Sequence, residues 1–178
     1  MRNAIDLTHT ILAIITMCSL YSCSDPRDER EKVRDRIFVE YAKKMKSKDL
    51  FVAGLGGGCT KDNKTNCIEV TFDYPFILNI DTSRKLIVES TETLLNLIKS
   101  DPANEKFYES FPPNIDILMI SIIGQKGAIE CDYIRSVDLM KGKVSYETDD
   151  HTSKVMRLIV VHEETYEEAK KILSGDMN

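Results

Sequence analysis

Tryptophan is absent from this 178-residue chain, and histidine occurs only three times. So few imidazoles leave little material for a histidine-rich metal site or a choice of catalytic bases. Basic excess is missing as well. Twenty-four Lys and Arg stand against 29 Asp and Glu, for a net charge of −5. Phosphate backbones demand a positive footprint, so nucleic acid is not an expected partner. Beyond residue 22 no apolar run approaches the roughly 18 residues of a spanning helix. Internal repeats and low-complexity tracts are lacking too. What is present is a 42% apolar composition, enough for the core of one ordinary domain and too much for global disorder.

The first 22 residues read as an export signal. Arg2 opens it, and the apolar stretch Ile11 to Met17, extended through small and apolar residues to Leu20, has the length of a secretory h-region. Leu20-Tyr21-Ser22-Cys23 follows directly. It resembles the lipobox of bacterial lipoprotein precursors, with an aliphatic residue at −3, a small residue at −1 and Cys at +1; Tyr21 departs from the usual residue at −2. The resemblance implies acylation of Cys23 (a palmitate-type lipid anchor), cleavage after Ser22, and a domain held at a membrane of the cell envelope. Ser24, where an Asp would retain such a protein at the inner membrane, implies the outer one. One acyl chain binds marginally, at about 0.8 kcal/mol per buried methylene, and two or three hold firmly. Ordinary cleavage with free release is the alternative. The expected organisation is residues 1–22 as signal and residues 23–178 as one globular domain.

Asp25-Pro26 forms a helix start, and Val33, Ile37, Tyr41 and Met45 recur every fourth residue, which predicts a helix over about 26–48. Leu50 to Ala53 is a short apolar run ahead of the glycines at 54, 56, 57 and 58, and the polar stretch Thr60 to Asn66 predicts a hairpin tip. Ile68, Val70 and Phe72 alternate with Glu69, Thr71 and Asp73 as a half-buried strand ended by Pro75. A second helix is expected to begin near Asp81 or Thr82 and to stop before Asp101-Pro102, with Leu86, Ser90, Leu94, Leu97 and Ile98 inward. Phe107, Tyr108, Phe111 and Pro112-Pro113 form a connector suited to plugging the core. Ile115 to Ile123 predicts a central strand. Cys131, Tyr133, Val137 and Leu139 fall on one apolar row, interrupted by Arg135. After the Lys141-Gly142 turn, Val144 to Thr148 is the most polar strand and the expected edge. Lys154 to Val161 is expected to be a well-buried strand, and Glu163 to Leu173 a closing helix. Short turns between strands favour antiparallel neighbours. The pattern predicts an α+β fold: an antiparallel sheet of about five to six strands with helices packed on one face.

Three groups of residues raise chemical questions. The glycines at 54–58 lack the helix of a dinucleotide fingerprint and the Lys of a phosphate loop, so a flexible or bulged strand end is the expectation, with anion binding the alternative. His162-Glu163-Glu164-Thr165-Tyr166 begins like a zinc HExxH motif, but Tyr166 stands where the second His must be. Neither His151 nor His162 has a recognised ligand spacing, so no metal or cofactor is expected. Cys59 and Cys67 flank the hairpin tip. Pairing in a disulfide would contribute about 2.5 kcal/mol; two free thiols, or Cys59 as a nucleophile with His151 or His162 as base, are the alternatives. Cys131 lies on the apolar row and reads as a buried inert thiol.

Taken together, Asp81 to Glu89, the connector Tyr108 to Pro113 and the ending His162 to Ala169 are similar to small exported proteins of Chlamydia-like intracellular bacteria. That family carries no assigned activity. The resemblance covers residues 30–173 and implies a bacterial envelope protein; it transfers no functional residue. The function expected from all this is a non-enzymatic binding or structural domain of a membrane-anchored envelope lipoprotein, with another envelope protein as partner. An envelope thiol hydrolase built on Cys59 and a histidine is the alternative.

Overall fold

Side-chain alternation sets which side of the sheet is covered. In strand β2 (Thr65–Asp73), Ile68, Val70 and Phe72 are buried while Glu69 and Asp73 are exposed, the period-two signature of a strand with one face on a core. The structure is a computed structural model, describing residues 28–127, 133–153, 155 and 157–176. Around β2 stand helix α1 (Glu29–Lys46), β1 (Phe51–Cys59), α2 (Ile80–Ser100), β3 (Leu118–Ile123), β4 (Ser136–Met140), β5 (Lys143–Asp149), β6 (Leu158–Thr165) and α3 (Tyr166–Ser174). The packing boundary between the chain's two units falls at Lys32/Val33, inside α1. Of the first unit only 28–32 is described; there the Asp28 carboxylate accepts from the Glu31 amide at 2.8 Å, capping the helix.

The strands form one six-stranded sheet in the order β1-β2-β3-β4-β5-β6. The fold is α+β, as the sequence predicts. Four of the strand pairs are antiparallel, but β2 and β3 run parallel. The sheet is thus mostly antiparallel, as expected; the one parallel pair arises because α2 lies between these strands and carries the chain back to the starting end of β2, a crossover that only parallel pairing can use.

The buried rows of the sheet, Ile68, Val70 and Phe72 with Leu118, Ile120 and Ile122, then Val137 and Leu139, then Val144 and Tyr146, share one core with the helices. On α1 the expected stripe Val33, Ile37, Tyr41 and Met45 is buried. On α2 the buried face is wider than the predicted stripe and takes in Ile87, Thr91 and Leu95; Leu97 is only half-buried. Each such Leu or Ile contributes about 1.5–3 kcal/mol by leaving water. Asn79 caps α2 by accepting from the Thr82 amide at 2.8 Å, and Pro102 follows its end. Phe107, Tyr108 and Phe111 pack at the margin of the core, as the connector's composition suggested.

Four sequence expectations are corrected. The helix predicted from Glu163 begins at Tyr166, because Glu163 and Glu164 still pair with β5. The central strand starts at Leu118, not Ile115, since Asn114 caps a 3-10 turn over Ile115–Ile117. Val144 to Thr148 is not an edge: β5 lies between β4 and β6. The well-buried strand expected over Lys154 to Val161 is not buried where it is described: β6 is an edge, and Leu158 to Val161 are exposed, while Lys154 and Met156 lie outside the described residues. A short run of Val, Ile and Leu reads as buried on both faces, but strand order, which periodicity does not report, placed it last.

Candidate functional site

Strand β6 is bare at one end and locked at the other. In its first half Leu158, Ile159, Val160 and Val161 are 38–50% exposed. Strand order makes it an edge, so among the described residues no strand pairs with its outer side. Arg157, just before it, is exposed as well. A register shift in the β5–β6 ladder falls between Tyr146 and Glu147, opposite Val161, and such a bulge increases local twist.

The second half of β6 is anchored by charge. Glu164 turns inward and is buried; Arg84 of α2 donates its Nε to Glu164 Oε1 at 2.8 Å, and the Tyr146 hydroxyl donates to the same oxygen. Arg84 also donates to Asp81 at 2.9 Å and stands over the Tyr146 ring at 5.9 Å. His162 lies against that ring with centroids 5.3 Å apart, its Nε2 3.7 Å from Glu164 Oε2. Burial, then the adjoining Glu164 carboxylate, push the Tyr146 hydroxyl well above the usual phenol range, so it remains a donor. Thr165 then caps α3 in a reciprocal box with Glu168. On α3, Tyr166 donates to Glu92 at 2.9 Å and, one turn further on, Lys170 approaches Glu92 at 2.7 Å. Two polar fasteners thus tie α2 to the β6–α3 corner.

The residues singled out by sequence are not assembled into a reaction centre. Cys59 ends β1, one edge of the sheet, and His162 lies on β6, the other edge. Five interstrand steps of about 4.8 Å put them roughly 24 Å apart. His151 follows the end of β5, beside Tyr133 at 6.3 Å between ring centroids. The glycines at 54–58 belong to β1 and pair along β2, with register shifts at Val52/Gly54 and Gly58/Cys59. They make a bulged strand, and not a phosphate loop. Cys59 and Cys67 both stand as thiols, and the second shift sets Gly58 opposite Cys67 and Cys59 opposite Thr65. His162-Glu163-Glu164 is strand, so its side chains alternate across the sheet instead of sharing a helix face. Cys23 and Cys131 lie outside the described residues. Among the described residues no three His, Cys, Asp or Glu side chains converge as a metal site, and no helix is long and apolar enough to cross a membrane.

Two open clefts, of about 560 and 600 Å³, are lined by Lys64, Lys106, Tyr108 and Phe111 in one and by Glu40, Lys48 and Asn96 in the other; neither lining includes a His or Cys. The Arg84–Glu164 anchor was not found by sequence reasoning. Its one local signal was an Arg on the apolar side of a helix. No protein-family model matches the chain, and no curated protein or solved structure matches it.

Proposed function

We propose that this chain is a lipid-anchored domain of a bacterial envelope, tethered through Cys23, that acts by binding and not by catalysis. Its partner is an extended, aliphatic segment of another envelope protein, which adds to the sheet beside β6. The observation that carries this reading is the run of exposed aliphatic side chains on an edge strand, Leu158 to Val161. Such an edge is a template for strand addition: main-chain hydrogen bonds supply affinity, and side chains on the two faces supply specificity. The buried Arg84–Glu164 pair behind it keeps the strand's far end in place, so the edge is pre-organised for a partner. An acidic residue opposite the exposed Arg157 would fix the partner's register.

The lipobox-like segment supports the anchor, and the outer membrane is the proposed address. Two measurements test the reading. Labelled fatty acid should enter the protein and be lost with Cys23→Ser; an unlabelled protein would remove the anchor. A photo-crosslinker at residue 159 should capture an envelope protein in cells, and Val160→Lys should abolish capture. Capture that is indifferent to Val160→Lys would remove β6 as the docking edge.

A further inference from the structure

The face of the sheet turned away from the helices carries a line of sulfur. Cys67 Sγ of β2 lies 3.7 Å from Met119 Sδ of β3. These are residues 52 positions apart, brought together by the parallel β2–β3 pairing. Met119 in turn stands directly opposite Met140 of β4. Directly opposed residues share a face, with Cβ atoms about 5 Å apart, so a third sulfur is within side-chain reach. Cys67 and Met119 are half-buried, and Met140 is 52% exposed. Gly58 faces Cys67 across the β1–β2 ladder, and a Cβ there would lie 3.6 Å from Cys67 Cβ. Glu69, exposed, pairs with Met119 in the β2–β3 ladder, with its carboxylate turned over Gly56 of β1.

We propose that Cys67, Met119 and Met140 form a binding site for a soft monovalent metal ion, Cu(I). Ligand softness and spacing both favour this ion. One thiolate with two thioethers suits Cu(I) and offers little to Zn(II), Mg(II) or Ca(II), which take anionic sulfur with imidazole, or oxygen. Metal–sulfur bonds of about 2.3 Å at a trigonal angle separate the sulfurs by roughly 4 Å, and the Cys67–Met119 spacing of 3.7 Å already approaches that without backbone movement. Methionine side chains are flexible enough for Met140 to complete the set. On binding, the Cys67 thiol releases its proton and its sulfur bonds the ion; copper stays Cu(I), and no electron is transferred. The three sulfurs stand on β2, β3 and β4, separated from the β6 edge by β5.

The test is titration of the reduced, purified full chain with Cu(I) supplied from a chromogenic Cu(I) chelator. One equivalent should leave the chelator, with a thiolate-to-Cu(I) absorption band in the near ultraviolet. Cys67→Ser should abolish that band. Met119→Leu, close to volume-conserving and thus expected to keep the fold, should weaken binding by about 10- to 100-fold, and Met140→Leu should weaken it too. Cys59→Ser should bind like the parent. Circular dichroism checks that each variant is folded. Three results would each overturn the site: no uptake by the reduced chain, uptake insensitive to Met119→Leu, or uptake lost with Cys59→Ser but kept with Cys67→Ser.

Discussion

Arg84 and Glu164, 80 positions apart, form an ion pair of 2.8 Å in which both side chains are more than nine-tenths buried. Removing one member of such a pair leaves the other under-compensated, Arg84 keeping only the exposed Asp81 and Glu164 only the Tyr146 hydroxyl, which costs up to about 3–5 kcal/mol. Glu164→Gln is therefore expected to destabilise the chain by about 3 kcal/mol, and Arg84→Met by a similar amount. The double variant should recover a large part of the loss, because it buries no lone charge. Urea unfolding of the four proteins gives the coupling. Additive losses would show that the two residues do not act as a pair.

Glu92 gives the fold an acid-sensitive contact. Burial alone would raise its carboxyl pKa, but hydrogen bonds from Lys170 and Tyr166 outweigh that and leave it below the usual carboxylate range. A lowered folded-state pKa contributes stability above the unfolded value of about 4.3, and that contribution is lost as pH falls through the folded value. Both partners are more than a third exposed, so solvent screening limits the pair to under about 1 kcal/mol. Lys170→Met should lower stability by that small amount at pH 7 and by nothing near pH 2. An equal loss at both pH values would assign the effect to packing against the Tyr166 ring instead.

Two glycines of β1 should respond differently to alanine. A Cβ on Gly57 would stand 2.6 Å from the Cys67 carbonyl oxygen, in a backbone conformation of φ +158° that side chains avoid; on Gly54 it would meet Thr71 at an ordinary 3.6 Å. Gly57→Ala is expected to cost more than about 1 kcal/mol and to release β1 amides to hydrogen exchange. Gly54→Ala should be close to neutral or slightly stabilising. Equal effects at the two sites would show that the β1–β2 approach is looser than described.

Thr165 holds the start of α3, a helix of only nine residues. Its hydroxyl accepts from the Glu168 amide at 3.2 Å, while the Glu168 carboxylate accepts from the Thr165 amide at 2.8 Å. Thr165→Ala should cost about 1 kcal/mol, and Thr165→Ser should restore it. Because Tyr166 and Lys170 ride on this helix, Thr165→Ala should also raise the folded-state pKa of Glu92, readable by carboxyl NMR titration. An unmoved Glu92 would mean that β6 alone positions the corner.

The sequence by itself determined whatever has a short period. Val33, Ile37, Tyr41 and Met45 marked α1, and Ile68, Val70 and Phe72 marked the covered face of β2. Each is a local repeat of 3.6 or 2 residues, written in neighbouring positions. The glycines at 54–58 were legible as a bulged strand for the same local reason. Tertiary structure alone decided the order of the strands. That order makes β6 an edge and β5 an interior strand, runs β3 parallel to β2, sets Glu164 against Arg84, and brings Met119 to Cys67. Strand pairing is chosen by the free energy of burying one shared core and satisfying every ladder, summed over distant segments. No single stretch of chain carries that sum, so the contacts proposed to bind a partner strand and a metal ion emerge only when the sheet is assembled.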